Sequence, residues 1–125
     1  MGTFRVAIEI GDPQGERYER LEAMVDTGAS YTVVPASTLR QLGVAPHDRL
    51  TFFLANGQQL ERDVGRTWVR VDGKAEITLV VFGDEGAEAL LGAYTLEGFA
   101  LAPDPVNQRL VRVRGLAMGR PVLPP

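Results

Sequence analysis

Enzyme chemistry needs a nucleophile, a proton carrier or a ligand set, and this chain of 125 residues offers few of them. It has no cysteine, which removes thiolate catalysis, disulfides and Cys-based zinc sites together. Its one histidine, His47, sits beside Pro46 and Asp48 in an expected exposed loop. A lone histidine builds no metal site without gathered carboxylates, and no nucleophile elbow accompanies it to make a serine triad. What remains is one aspartate in an unusual setting, Asp26 within Met24-Val25-Asp26-Thr27-Gly28-Ala29-Ser30. An apolar run precedes it and Val33-Val34 follow, so a carboxylate there is costly to bury unless something pairs with it or uses it. A strand behind Asp26 would hold its carboxylate rigidly. Gly28 lets backbone and ligand approach without an intervening Cβ, and the Thr27 hydroxyl can both donate and accept. The plainest alternative is a turn aspartate that caps its own backbone.

Composition narrows the remaining classes. The net charge of −3 gives no basic field for nucleic acid or an anionic membrane surface. Gly83-Asp84-Glu85-Gly86 is acidic and would repel phosphate, so no phosphate-cradling loop is present. No apolar run approaches the ~18 residues of a membrane span, and no cationic and apolar leader opens the sequence. The expectation is a cytoplasmic protein with no metal and no cofactor.

The elements that must position Asp26 follow a period of two. Phe4, Val6, Ile8 and Ile10 alternate with other residues, turn at residues 11–15, and return through Leu21, Ala23 and Val25 as a hairpin. Pro35 to Leu42 reads as a short helix stopped by Gly43. Leu50 to Leu54 and Gln59 to Val64 flank Ala55-Asn56-Gly57-Gln58, a hairpin whose Asn-Gly predicts positive φ at both positions. Thr67 to Val71 and Ala75 to Phe82 form another hairpin around Asp72-Gly73, with Ala75, Ile77, Leu79 and Val81 on one face. Ala89-Leu90-Leu91 is a short strand, Ala93 to Glu97 one helical turn, and Phe99 to Leu101 pairs back with Leu110 to Val113. Such spacing predicts a small all-β domain, mainly antiparallel, forming a closed or partly open barrel with one or two short helices. The domain is expected over 1–114, with 115–125 a Pro- and Gly-containing tail lacking regular structure.

Asp-Thr-Gly alone would arise by chance in roughly one chain in a hundred of this length. The flanking pattern makes it more specific. Met24-Val25, Asp26 to Ser30, Thr32 to Val34, the Asn56-Gly57 hairpin and Leu90-Leu91-Gly92 together resemble the retropepsin-like (retroviral-type) aspartic peptidases, in order and spacing, over residues 4–102. The viral members carry an Arg after the late glycine that pairs with an Asp two residues beyond the triplet; here those positions are Ala93 and Ser30, so both charges are missing together.

The resemblance implies an acid-protease barrel and an aspartic endopeptidase in which two carboxylates share a proton and activate water. One such triplet in one short chain then implies a homodimer, with Asp26 from each copy on the two-fold axis. Asp26, Thr27 and Gly28 are the implied catalytic residues. Ala29, Ser30, Ala55, Asn56 and Gly57 are the implied substrate-binding residues, the last three on a flap. Implied partners are a second copy and a peptide or protein substrate, without nucleic acid or membrane. The alternative is a catalytically silent dimerisation or peptide-binding module of the same fold.

Overall fold

The computed structural model describes residues 3–113, together with the backbone of Leu116–Ala117 and Arg120–Pro121. The first hairpin forms as the alternation predicts, β1 (Arg5–Gly11) against β2 (Tyr18–Val25). Next come β3 (Thr32–Pro35), helix α1 (Ala36–Gln41), β4 (Asp48–Phe53), β5 (Gln59–Val71) and β6 (Lys74–Gly83). β7 (Ala89–Leu91), helix α2 (Ala93–Gly98), β8 (Leu101–Asp104) and β9 (Arg109–Arg112) complete the domain. In space the order is β1-β2-β7-β3-β6-β5, and β5 returns to β1 through Glu9↔Arg70 and Ile10↔Val69. That closes a six-stranded barrel, with β4 attached to β5 outside the ring.

Two pairings are parallel, β2 with β7 and β3 with β6. They arise because β7 inserts between β2 and β3, so the chain must leave β2, pass over β7 and re-enter as β3. That passage is residues 26–31, the Asp26 loop. Ile8, Ile10, Val34, Val69, Val80 and Leu91 fill the interior, and Leu39 of α1 and Leu96 of α2 seal it. Each buried aliphatic side chain of this size contributes about 1.5–3 kcal/mol by leaving water.

Several local expectations change in the structure. β5 is one continuous strand of 13 residues, where Gln59 to Val64 and Thr67 to Val71 were expected as two. Gly65 is no break. It lies where an added Cβ would stand 3.0 Å from the Ala45 carbonyl, so its bare backbone lets the connecting segment cross the strand. β6 buries Val80 and Phe82 in the barrel, whereas the expected face of Ala75, Ile77, Leu79 and Val81 points outward. Leu79 and Val81 are nonetheless covered by a second cluster with Tyr31, Val33 and Phe52, while Ile77 stays 54% exposed. Both faces of the far half of β6 are covered, so alternation no longer marks the inside. At the β4–β5 turn only Gly57 has positive φ (86°), and Asn56 does not. The loop has three residues, 55–57, closed by the Leu54 amide donating to the Gln58 carbonyl at 2.8 Å, so a left-handed glycine in last place suffices. At Asp72-Gly73 both residues do take positive φ, 54° and 80°. Pro35 stands at the cap of α1, just before its first helical residue. In the tail, Leu116–Ala117 pairs antiparallel with Arg120–Pro121, where no regular structure was expected; the rest of 115–125 lies outside the described residues.

Three carboxylates act as backbone ties. Asp12 closes the β1–β2 turn by accepting the Glu16 and Arg17 amides at 2.7 and 3.1 Å. Glu85 accepts the Ser37 hydroxyl and amide at 2.6 and 2.8 Å, capping the first turn of α1 from a distant loop. Asp104 accepts from the Asn107 side chain at 2.8 Å in the β8–β9 turn. The Arg17 amide foremost holds the Asp12 carboxyl below its ordinary 3.8, the Ser37 hydroxyl does the same for Glu85, and the Asn107 amide group for Asp104. Since each folded value is lowered, the stabilisation is present above the unfolded pKa and is lost as pH falls through the folded one. Asp12→Ala is therefore expected to lower the melting temperature at pH 7, with the gap to wild type closing as pH drops below 3.8. Thermal unfolding followed by circular dichroism at pH 7, 4 and 3 checks this; a gap independent of pH would contradict it.

Candidate active site

Asp26 is set by the parallel β2–β7 pairing, in register at Met24↔Leu90 and Val25↔Leu91. The ladder ends when the Asp26 amide donates to the Leu91 carbonyl at 3.1 Å, and the chain turns away. The Asp26 carbonyl then accepts the Ala29 amide at 3.1 Å, and Oδ1 accepts the Gly28 amide at 2.9 Å. Turn capping and an available carboxylate are thus compatible, because among the described residues only that one hydrogen bond reaches the side chain. Asp26 is half-buried, whereas Thr27 and Gly28 are exposed. A rigid carboxylate with one oxygen held and the other open can take a proton from water or give one to an acceptor.

The loop is pinned from below by buried hydroxyls. Thr32 Oγ1 donates to Thr95 Oγ1 at 2.7 Å, Thr95 and Thr78 hydroxyls lie 3.0 Å apart, and the Gly92 amide donates to Thr32 Oγ1 at 3.1 Å. These three threonines, on β3, α2 and β6, are all buried. Gly92 fits there because it lacks a side chain: an added Cβ would stand 2.5 Å from the Tyr31 carbonyl carbon. Above this network two backbone bonds join loop and helix, Ala93 amide to Ala29 carbonyl and Tyr94 amide to Ser30 carbonyl, both at 2.9 Å. Ser30 and Ala93 carry no charges, and the main chain on either side of them makes the connection.

Beside the loop runs a groove of about 640 Å³ between the Asp26 loop, the β4–β5 hairpin and the β6–β7 connection. Gly28, Ala29 and Ser30 form part of one wall. Phe52 and Leu54 project from the hairpin, with Leu90 from β7. Ala55, Asn56 and Gly57 are exposed at the hairpin tip and do not line it. Asp26 and Thr27 border a smaller hollow of about 200 Å³ on the other side of the loop, with Phe4, Pro103 and Pro105. The structure thus gathers Gly28 to Ser30 at the groove, puts Asp26 and Thr27 at the separate smaller hollow, and leaves residues 55–57 outside both.

Several groove residues carry no signal in the sequence. Tyr31 meets Phe52 edge-on at 6.2 Å and Tyr94 at 5.8 Å, linking hairpin, loop and helix α2 through one aromatic side chain. Its place directly after Ser30 was the one available hint. Thr78 and Thr95 look like ordinary polar positions, and only tertiary contact joins them to Thr32. Among the described residues no group of three His, Asp or Glu side chains could hold a metal ion, and no helix is long and apolar enough to cross a membrane.

With this geometry in hand, comparison with known proteins is informative. The family model described as "gag-polyprotein putative aspartyl protease" matches residues 17–98. The fold is similar to that of the simian foamy virus protease in solution (TM-score 0.55, 22% identity, 80% of this chain and 99% of that one). It is also similar to a protein of unknown function from Legionella pneumophila (0.51, 17%, 82% and 92%). A third likeness is to a retropepsin-like aspartic protease from Rickettsia conorii (0.50, 21%, 83% and 89%). No curated protein sequence matches.

The threonine network yields a direct expectation. Thr32→Val keeps the shape but leaves the Gly92 amide without its acceptor, so it should destabilise the fold by about 1–3 kcal/mol. Urea unfolding measures this, and a loss below about 0.5 kcal/mol would show that the hydroxyls do not pin the loop.

Proposed function

Because the chain belongs to the retropepsin-like aspartic proteases, matched over residues 17–98, we propose that it is an aspartic endopeptidase, active as a homodimer, with Asp26 of each copy forming the catalytic pair. The observation that carries this reading is the Asp26 carboxylate: rigidly based, half-exposed, and engaged by one amide only among the described residues. One carboxylate cannot serve as base and acid at the same moment, and the chain has a single Asp-Thr-Gly. A second copy supplies the other.

Two like carboxyl groups brought together ionise in two separated steps, so between those steps one proton is shared and the apparent pKa values belong to the pair; aspartic proteases are the general example of this effect. The ionised member takes a proton from water as its oxygen attacks the peptide carbonyl. The protonated member donates to the carbonyl oxygen. Collapse of the tetrahedral species breaks the C–N bond as the nitrogen receives a proton, leaving an acid and an amine. No metal or cofactor enters these steps.

The remaining residues have positional roles. Exposed Thr27 lies beside Asp26 and would tie the two loops across the axis through its hydroxyl. Gly28, Ala29 and Ser30 line the groove, and the main-chain groups there not already engaged among the described residues, the Gly28 carbonyl and the Ser30 amide, would hold an extended peptide by strand-like hydrogen bonds. Residues 55–57 would cover the peptide as the tip of a flap, excluding water during the reaction. A silent peptide-binding module remains the second reading. The fold's likeness to a Legionella protein of unknown function leaves this reading open, since fold alone does not fix activity.

The test is cleavage of an unbiased peptide library between pH ~3 and 7, where a coupled carboxylate pair governs rate. Asp26→Asn should reduce cleavage by about 10³-fold or more while leaving the dimer intact by sedimentation. A folded wild-type dimer that cleaves nothing across that range would favour the silent module. A strictly monomeric wild type would contradict the shared pair.

A further inference from the structure

One ion pair lines the groove, and nothing in the proposed chemistry uses it. Arg62, on the β5 side of the hairpin, reaches Asp84 on the β6–β7 connection at 3.0 Å, and both residues line the groove. The two ends differ. The Arg62 side chain is 29% exposed and is further held by donating to the Glu61 carbonyl at 2.8 Å, whereas the Asp84 side chain is 70% exposed. The other carboxylate on the wall, Glu88, is already paired with Arg5.

From this asymmetry we propose that Arg62 determines specificity, selecting peptides that place an Asp or Glu side chain at its end of a largely apolar groove. The inference rests on the peptide-binding reading of the groove given above. An incoming carboxylate exchanges with Asp84, which swings into water at little cost because exposed ion pairs contribute little. Arg62 keeps a carboxylate partner throughout and has further N–H donors for a forked contact. A basic peptide side chain is disfavoured. It would draw Asp84 away and leave the less exposed Arg62 unpaired, the costlier half of the exchange. Around this position Phe52, Leu54 and Leu90 favour apolar neighbours on the same peptide.

Binding separates this claim from catalysis. Asp26→Asn protein is titrated, by fluorescence anisotropy, with apolar hexapeptides carrying Glu, Gln or Lys at each position in turn. At one position Glu should bind about tenfold more tightly than Gln, the worth of a charged hydrogen bond, with Lys weakest. Arg62→Gln on the same background should abolish the Glu preference, with Glu and Gln peptides then binding alike, and Arg62→Asp with Asp84→Arg should move the cation to the more exposed position and weaken the preference. Peptides that bind without regard to charge, or a Glu preference that survives Arg62→Gln, would overturn the assignment of Arg62 alone. If no peptide binds at any position and wild type cleaves none, the peptide-binding reading itself fails.

Discussion

The whole arrangement depends on β7 lying between β2 and β3. That insertion sets two parallel pairings, completes the ring that β5 and β1 close, and forces the chain over β7 as the Asp26 loop. It also brings Gly92 under Tyr31 so closely that no side chain fits, and gives the Gly92 amide the Thr32 hydroxyl as partner. A three-residue strand thus does more for the site than its length suggests. It fixes where the carboxylate ends up, because the Asp26 amide is the last donor of its ladder.

The loop is held by neutral groups. Thr32, Thr95 and Thr78 satisfy one another in the interior, and two main-chain bonds from Ala93 and Tyr94 fasten the loop from above. Neutral hydrogen bonds avoid the desolvation cost of a buried ion pair, and they do not titrate in the acid range. The peripheral carboxylates that do titrate, Asp12, Glu85 and Asp104, are each held below their ordinary range by N–H or O–H donors. A fold built this way keeps these ties as pH falls toward the lowered values of its carboxyls.

Much of this was legible in the residues. Alternation and turn chemistry located the β1–β2 and β5–β6 hairpins, and Leu90-Leu91-Gly92 before a helical turn located β7 and α2. Those signals are local, and local signals say nothing of which strands meet. The parallel pairings and the barrel closure between β1 and β5 depend on contacts far apart in sequence, so periodicity could not show them. The continuity of β5 through Gly65 was hidden because a glycine that admits a neighbouring backbone resembles one that breaks a strand. Ala75, Ile77, Leu79 and Val81 share a face of β6, and alternation could not say that it is the outer one because both faces are covered where the hairpin packs. At the site, the Asp26 triplet was visible, whereas the groove's Tyr31, Phe52 and Arg62 were not, since each is an ordinary residue for its loop or strand until the walls come together.

The central claim is that two Asp26 carboxylates from two chains form one reactive pair, and subunit mixing tests it most directly. Wild-type chain is mixed with Asp26→Asn chain at constant total concentration, allowed to exchange, and assayed for peptide cleavage at its optimum pH. If both carboxylates are required, activity follows the square of the wild-type fraction, so equal amounts leave about one quarter of the starting rate. A linear fall, with about one half remaining, would mean that each chain works alone and would contradict the shared pair.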